Sequence, residues 1–152
     1  MIFSVNETKT IYISRTNPEN PLSTFSRHEF ELDGSTWPSV EHYYQANKFE
    51  DEAIRETIKT ADTPEEARKL AKKNKRKIRT NWKKNKITFM TRAVYIKCCH
   101  HEDVKRALLN TRTDDIIENS QYDYFWGCGR DLRGANAYGK ILMDVRKKIS
   151  AK

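Results

Sequence analysis

Side chains that could act together on a ligand are concentrated in one short segment, WPSVEHYYQANKF at residues 37–49. It contains a carboxylate, Glu41, and an amine, Lys48, seven positions apart, with Tyr44 and Gln45 between them. At about 100° per residue, all four fall on one face of a helix. An acid and an amine on one face can supply a proton carrier and a nucleophile. Pattern alone still favours two solvated surface charges, because paired charges are more often structural than catalytic.

A second concentration lies near the C-terminus, where four of the five glycines fall between positions 127 and 139. Their spacing matches neither a dinucleotide fingerprint nor a P-loop, so we expect no cofactor. Asp123 and Trp126 flank this loop, and a carboxylate beside a flat ring suits a base or a sugar. A core position is equally consistent with Trp126 taken alone. The helix predicted to begin near Asn136 could hold an anion at its N-terminal amides.

Together the two concentrations supply two acids, an amine and stacking surfaces. The sequence shows no plausible Ser-His-Asp triad and no His-Glu-x-x-His motif. Chemistry at a glycosidic carbon fits this set, since carboxylates can stabilise an oxocarbenium-like centre and activate water.

Composition predicts a soluble protein with one domain at residues 1–152, with 33% charged and 37% apolar residues. No apolar run approaches the roughly 20 residues of a membrane span, and no signal peptide is visible. We therefore expect a cytoplasmic location and no membrane partner.

Cysteine and histidine spacing predicts neither disulfides nor a metal site. Cys98, Cys99 and Cys128 form no disulfide framework. Cys98, Cys99, His100 and His101 have the side-chain types of metal ligands, but consecutive helical residues point in different directions. Only Cys98 and His101 could share one ion, and no second ligand pair is evident. We expect no bound metal.

The net charge of +8 comes from residues 68–86, which hold eleven of the 29 Lys and Arg residues and no acid. Such a segment attracts phosphates, either in a nucleotide or along a nucleic-acid backbone. A solvated helical face that keeps the protein in solution is equally consistent. Binding to nucleic acid through residues 68–86 is thus one of two open alternatives.

Helices should position most of these residues. Apolar alternation predicts one or two strands in residues 2–13 and another within 25–32, closed by a turn at Asp33-Gly34 that leads to Trp37. Pro38-Ser39 predicts a helix start. Further helices are predicted at 51–59, 64–74, from 82 after a cap at Asn81, at 102–109 and at 135–148, and a strand is favoured at 115–118. The fold class is α+β, rich in helix, with a small antiparallel sheet.

The order of these motifs resembles the NADAR superfamily, also called YbiA-like, over nearly the whole chain. The matching pieces are LSTF at 22–25, the WPSVEHYYQANKF block, TPEEAR at 63–68, the region of Trp82, and the tail DYFWGCG…GANAYGKILMDVR. The resemblance implies a YbiA-like N-glycosidase. Its substrate would be a ribosyl phosphate compound, such as an early riboflavin-pathway intermediate or ADP-ribosyl-guanine in nucleic acid.

The resemblance also implies residue roles. Glu41 would be a central acid beside the ribose, and Asp123 would aid proton transfer or hold a ribose hydroxyl. Lys48 would attack the anomeric carbon to give a covalent ribosyl-lysine or a Schiff base, which water then resolves. Lys48 could instead only bind the phosphate. Attack requires a lowered lysine pKa, which an ionised Glu41 nearby would oppose. The substrate-binding set comprises Arg15, Ser23, Phe25, Tyr44, Gln45, Trp82, Trp126, Gly127 and Asn136.

Two other function classes remain open. Thr24 stands where the family usually has Asn, which puts one carboxamide contact in doubt. That difference is the support for a non-catalytic module that sequesters ADP-ribose or another NAD-derived nucleotide. A simple nucleic-acid binder built on residues 68–86 is the third alternative.

Overall fold

A computed structural model describes residues 8–151 of the protein. Helices dominate, and the short strands lie within residues 10–37 and at 115–118, so the helix-rich α+β prediction is confirmed. The elements are β1 Thr10–Ile13, β2 Phe30–Leu32, β3 Ser35–Trp37, α1 Val40–Ala46, α2 Glu52–Lys59, α3 Pro64–Lys73, a 3₁₀ turn Lys75–Lys77, α4 Trp82–His100, α5 Glu102–Leu109, β4 Asp115–Glu118 and α6 Ala137–Ser150. Any strand within residues 2–7 lies outside the described residues.

The strands of the described chain form two separate pairs, one of which is the predicted small antiparallel sheet. β2 and β3 make the expected hairpin, and Asp33 and Gly34 both have positive φ, as a tight hairpin turn requires. β1 and β4 instead pair in parallel, with Thr10 opposite Asp115. Parallel strands must be joined by a long crossover, and here it contains α1 to α5. No turn residues next to either strand predict such a pair.

Helix α1 begins where the sequence predicts but ends early. The Ser39 hydroxyl accepts a hydrogen bond from the His42 amide at 3.2 Å and caps the helix. At the other end, the Asn47 side chain donates to the Tyr43 carbonyl at 2.7 Å, and the helix stops at Ala46. Lys48 therefore lies beyond α1, in a turn.

The whole of α1 is buried. It packs against α2, α3 and α4, while β4 packs against α6. The interpretation of Glu41 as a solvated surface charge is therefore wrong, because its side chain has no exposed area. The helix that carries the predicted chemistry is the centre of the core.

The remaining helices largely follow their capping signals. The Thr63 hydroxyl accepts from the Glu66 amide at 3.0 Å, which confirms the predicted start of α3. α4 follows Asn81, but that side chain makes no capping hydrogen bond in the described chain. Within residues 8–151, no helix is both long and apolar enough to cross a bilayer.

Lys97 is a buried cation on α4 that sequence reasoning missed. Its Nζ donates to the Ser23 carbonyl at 2.8 Å and to the Ser26 hydroxyl at 2.6 Å. Burial lowers the pKa of Lys97 to about 7, and the charges of Cys98 and Asp103 oppose the shift only partly.

Replacing Lys97 by Met should remove a pH-dependent part of the stability. Between pH 7 and about 10.4 the unfolded chain holds a proton on Lys97 that the folded protein lacks, so stability rises with pH across that window. Wild type should gain up to about 1 kcal/mol per pH unit relative to Lys97→Met. Urea unfolding of both proteins at pH 7, 8 and 9 measures this gain. A difference that does not change with pH would contradict the expectation.

Candidate active site

A cavity of about 560 Å³ opens beside α1 and α3, facing the loop before α6. Its volume is in the range of small-molecule sites. Residues from the N-terminal segment, α1, α3 and the 120–126 loop form its wall, although they are far apart in sequence. The lining residues are Arg15, Tyr44, Gln45, Lys48, Glu65, Arg68, Lys69, Ala71, Lys72, Lys75, Ile78, Asp123 and Trp126.

Glu41 lies directly behind this wall, where four side chains surround its carboxylate. Arg15 Nη1 lies 3.2 Å from Oε2, and the Thr24 hydroxyl donates to the same oxygen at 2.8 Å. Gln45 Nε2 donates to Oε1 at 3.0 Å, and Arg68 Nε is 3.9 Å from it. Two guanidinium groups thus balance a fully buried charge, the condition under which proteins tolerate one. Glu41 does not itself line the described cavity, but Arg15 and Gln45, which bond to its carboxylate, do. Its predicted place beside the ribose stays a prediction.

Arg15 joins the two acids of the site. Its Nη1 pairs with Glu41, and its Nη2 lies 3.6 Å from Asp123 Oδ2. Burial alone would lower the pKa of Arg15, but the two carboxylates outweigh it and the pKa is raised above its ordinary value. Its backbone amide donates to the buried carboxylate of Glu118 at 2.5 Å. Arg15 is therefore held at both its backbone and its side chain.

The two carboxylate oxygens of Asp123 have different roles: one stabilises the loop, and the other faces the cavity. Oδ1 accepts the amides of Phe125 and Trp126 at 3.0 and 2.8 Å, which folds the loop into a tight turn. Oδ2 faces Arg15, and the side chain is about one third exposed. One oxygen of Asp123 is therefore available to a ligand.

Lys48 is the amine of the cavity. Burial lowers its pKa to about 8, and Arg15 and Arg68 add to this shift while Glu41 opposes it. Among the described residues, no carboxylate oxygen lies within 4.0 Å of its Nζ, which sits 5.3 Å from the centre of the Tyr44 ring. The ion pairs of Glu41 with the two arginines limit its opposition. About one Lys48 in ten is then neutral at pH 7.

Aromatic rings close one side of the site. Tyr44 lines the cavity and contacts Trp82 and Trp126, with ring centres 5.1 and 5.5 Å away. Trp126 also lines it. Trp82 is not among the described residues that line the cavity. Its ring is stacked on that of Phe89 within the core, with the ring centres 5.7 Å apart. Its predicted role in substrate binding, to stack against the base or to close the site, stays a prediction.

Two predicted binding residues in the 23–25 segment lie behind the wall. Ser23 is buried, and its hydroxyl accepts the Ser26 amide at 3.1 Å. The Phe25 ring lies under the guanidinium of Arg68, 5.6 Å from its carbon. Phe25 thus contacts the lining residue Arg68, whereas the hydrogen bonds of Ser23 run to Asn20, Ser26 and Lys97. The substrate-binding roles of both residues stay predictions.

Gly127 and Asn136 also have packing positions. A Cβ at Gly127 would meet Glu118 Oε1 at 2.5 Å, so only glycine fits. The Asn136 side chain bonds to β4, accepting from the Glu118 amide and donating to the Ile116 carbonyl. The predicted anion site at the start of α6 is corrected, because the amides of Ala137 and Tyr138 donate to loop carbonyls.

Sequence reasoning did not assign Glu118 to the site, and it noted Thr24 only as a difference from the family pattern and the lysines only as part of a basic segment. Glu118 follows Ile116 at the two-residue spacing of a strand, so its inward position could have been predicted from the DIIE segment. The lysines at the cavity rim, Lys69, Lys72 and Lys75, lie within the basic segment 68–86. Nothing in the sequence indicated that this segment forms part of a cavity wall.

Replacing Thr24 by Val should lower turnover by about tenfold, because the Glu41 carboxylate would lose a buried hydrogen-bond donor. Valine preserves the shape of threonine but has no hydroxyl, so stability should also fall by about 1–3 kcal/mol. Turnover and urea unfolding measure the two effects. Thr57→Val, on the exposed face of α2, is the control, and an equal effect there would contradict a role for the Thr24 contact.

A NADAR domain model matches residues 4–150 of the chain. The chain belongs to the NADAR family. It is 42% identical over 144 residues to N-glycosidase Npun_R5314 of Nostoc punctiforme, covering 92% of each chain. It is 32% identical over 139 residues to N-glycosidase YbiA of Escherichia coli, covering 91% of this chain and 87% of YbiA.

The NMR structure of Escherichia coli YbiA is also similar, with a TM-score of 0.85 and 31% identity over 97% of this chain and 88% of that one. The maize riboflavin biosynthesis protein PYRR is 37% identical over 143 residues, which make up 84% of this chain and 23% of that longer protein. The predicted family and YbiA-like fold are therefore confirmed.

Proposed function

We propose that this NADAR protein is an N-glycosidase that hydrolyses the bond between a base and the ribose of a ribosyl phosphate compound. The observation that carries the proposal is a buried amine of lowered pKa, Lys48, in one cavity with Asp123 and Trp126. The relatives named N-glycosidases support the reaction class, and the maize relative, named a riboflavin biosynthesis protein, supports a riboflavin-pathway substrate.

In the proposed reaction, the neutral Lys48 amine attacks the anomeric carbon, and the bond from that carbon to the base nitrogen breaks. The base takes a proton, the amine loses one, and Asp123 Oδ2 is placed to carry it. Water then displaces the amine and leaves free ribose phosphate. Glu41 holds Arg15 and Gln45 in the wall and supplies a fixed negative charge behind the sugar.

The cationic rim of the cavity supports a phosphorylated substrate. Arg68, Lys69, Lys72 and Lys75 all line it, so part of the basic segment faces the site rather than bulk solvent. Clustered cations at a small cavity favour a phosphate group. The same rim is compatible with the phosphates of ADP-ribose on nucleic acid.

Base release from two substrates tests the proposal: ribosylaminopyrimidine phosphate and ADP-ribosylated guanine in DNA. Release of base from neither substrate would contradict the proposal. If DNA carries the natural substrate, turnover on DNA should fall steeply with salt while turnover on a free nucleotide should not. Equal salt responses would identify a small metabolite.

The full burial of Glu41 favours one competing function, binding of ADP-ribose without turnover. Calorimetry with ADP-ribose, followed by chromatography of the ligand, separates the two functions. Tight binding with an unchanged ligand, together with no base release from any N-ribosyl substrate, would establish sequestration.

Lys72→Gln should raise KM for the phosphorylated substrate by about tenfold and leave kcat within about twofold. A contact to a phosphate is the same before and during bond breaking, so its loss weakens binding uniformly. Steady-state kinetics measures both constants. Lys73→Gln is the matched control, since Lys73 is the next residue on α3 and lies outside the described cavity wall. A fall in kcat alone would contradict the assignment.

A further inference from the structure

A cluster of metal-ligating side chains lies at the junction of α4 and α5. His28, His101 and Asp103 each place one nitrogen or oxygen within 4.8 Å of the others. His28 Nε2 lies 2.7 Å from Asp103 Oδ2, and the two imidazole rings meet edge to face with centres 4.9 Å apart. None of the three is among the described residues that line the cavity.

Both imidazoles are oriented by a second hydrogen bond. His101 Nε2 faces the Glu29 carbonyl at 2.5 Å. A carbonyl only accepts, so that nitrogen carries the proton and Nδ1 keeps its lone pair. His28 Nδ1 lies 2.9 Å from the Ser26 hydroxyl, which leaves Nε2 directed at Asp103. Metal-binding histidines are commonly held in this way, by a carbonyl or hydroxyl on the other ring nitrogen.

The Ser26 contact is itself fixed from inside the protein. Lys97 donates to the Ser26 oxygen, and the same lysine donates to the Ser23 carbonyl. That oxygen keeps one lone pair and its own hydrogen, so it can either accept from His28 Nδ1 or donate to it. The Asp103 carboxylate only accepts, so His28 Nε2 carries the proton in this arrangement. When a metal ion displaces that proton, Nδ1 can hold one instead and donate it to the Ser26 oxygen.

We propose that His28, His101 and Asp103 form a binding site for a zinc-like divalent transition-metal ion. Two imidazole nitrogens and one carboxylate oxygen suit Zn²⁺, whereas Ca²⁺ and Mg²⁺ prefer all-oxygen sites. Water would complete four-coordination. Tetrahedral ligands at about 2.0–2.2 Å lie roughly 3.5 Å apart, which the exposed Asp103 side chain can reach by rotating.

The ion would tie two distant parts of the chain together. His28 lies in the segment that follows Thr24, and the other two ligands lie at the start of α5. Sequence spacing could not reveal this set, because His28 is separated from the others by the hairpin and by α1 to α4.

Calorimetric titration of chelator-treated, tag-free protein with zinc chloride tests the proposal. One equivalent should bind, and zinc at 100 times its dissociation constant should raise Tm by about 5–10 °C. His28→Gln and Asp103→Asn should each weaken zinc binding by more than about 100-fold. Loss of a residue that only orients a metal ligand typically costs roughly 10–100-fold. Because Asp103 is exposed, its substitution should not disturb folding, and circular dichroism checks that both variants are folded.

The exposed neighbours Cys99 and His100 provide the control. A Cys99→Ser, His100→Gln double variant should bind zinc as wild type does. Loss of zinc binding in this double variant, with retention in His28→Gln, would overturn the proposal. Absence of stoichiometric binding in wild type would reduce the cluster to an Asp103–His28 hydrogen bond and would equally overturn it.

Discussion

Replacing Glu41 by Gln is expected to lower kcat for base release by about 10³-fold, a loss typical of removing one fixed electrostatic group from an active site. Glutamine keeps the side-chain shape but removes the negative charge that balances Arg15 and Arg68. Breaking a buried pair should also destabilise the protein by about 3–5 kcal/mol. Single-turnover assays, at a temperature where circular dichroism shows both proteins folded, measure the catalytic loss.

Glu65→Gln is the matched control for this change. Glu65 lines the same cavity and carries the same charge, but its side chain is half exposed. Its removal should alter kcat by less than about threefold, as expected for a solvated charge. Equal effects of the two substitutions would show that Glu41 contributes only to the general potential of the cavity.

Replacing Lys48 by Arg should abolish base release, with a loss of about 10³-fold or more. Arginine keeps the positive charge but stays protonated in proteins, so it cannot attack carbon. If Lys48 only binds phosphate, arginine would largely preserve activity. The substitution therefore separates the two roles. Lys69→Arg, in the same cavity wall, is the control and should keep nearly full activity.

The pH profile of wild type gives an independent measure of the same role. With a pKa of about 8, the neutral amine increases about tenfold per pH unit below that value, so kcat should rise up to pH 8 and then level. Borohydride added during turnover should reduce the C=N bond of the ring-opened Schiff-base form of the intermediate and so trap an adduct on the peptide that contains Lys48. Activity that falls as pH rises from 6 to 8 would indicate that the charged amine is the working form.

Local chemistry predicted much of the fold. The start of α1 at Ser39, the hairpin turn at Asp33-Gly34 and the cap of α3 at Thr63 each depend on residues within four positions, and all three are present. Features that depend on distant parts of the chain were missed. The parallel β1–β4 pair is the main example, since nothing near either strand specifies its partner.

The site divides in the same way. Its lining by Tyr44, Gln45 and Lys48 follows from the spacing around α1, although Lys48 lies beyond the helix end. The burial of Glu41 could not be predicted from the sequence, because it depends on side chains from three other segments that surround its carboxylate. Asn136 shows the converse: its position before α6 was correct, but its amide serves β4.

The contacts of Arg15 have a consequence for biosynthesis. Its side chain meets Glu41 and Asp123, and its amide meets Glu118, so the N-terminal segment is complete only after the last quarter of the chain is present. Contacts of such sequence separation close slowly during folding. A nascent chain still lacking β4 would therefore carry both Glu41 and Lys48 without a formed wall around them. Catalytic competence should appear only once translation has passed residue 126.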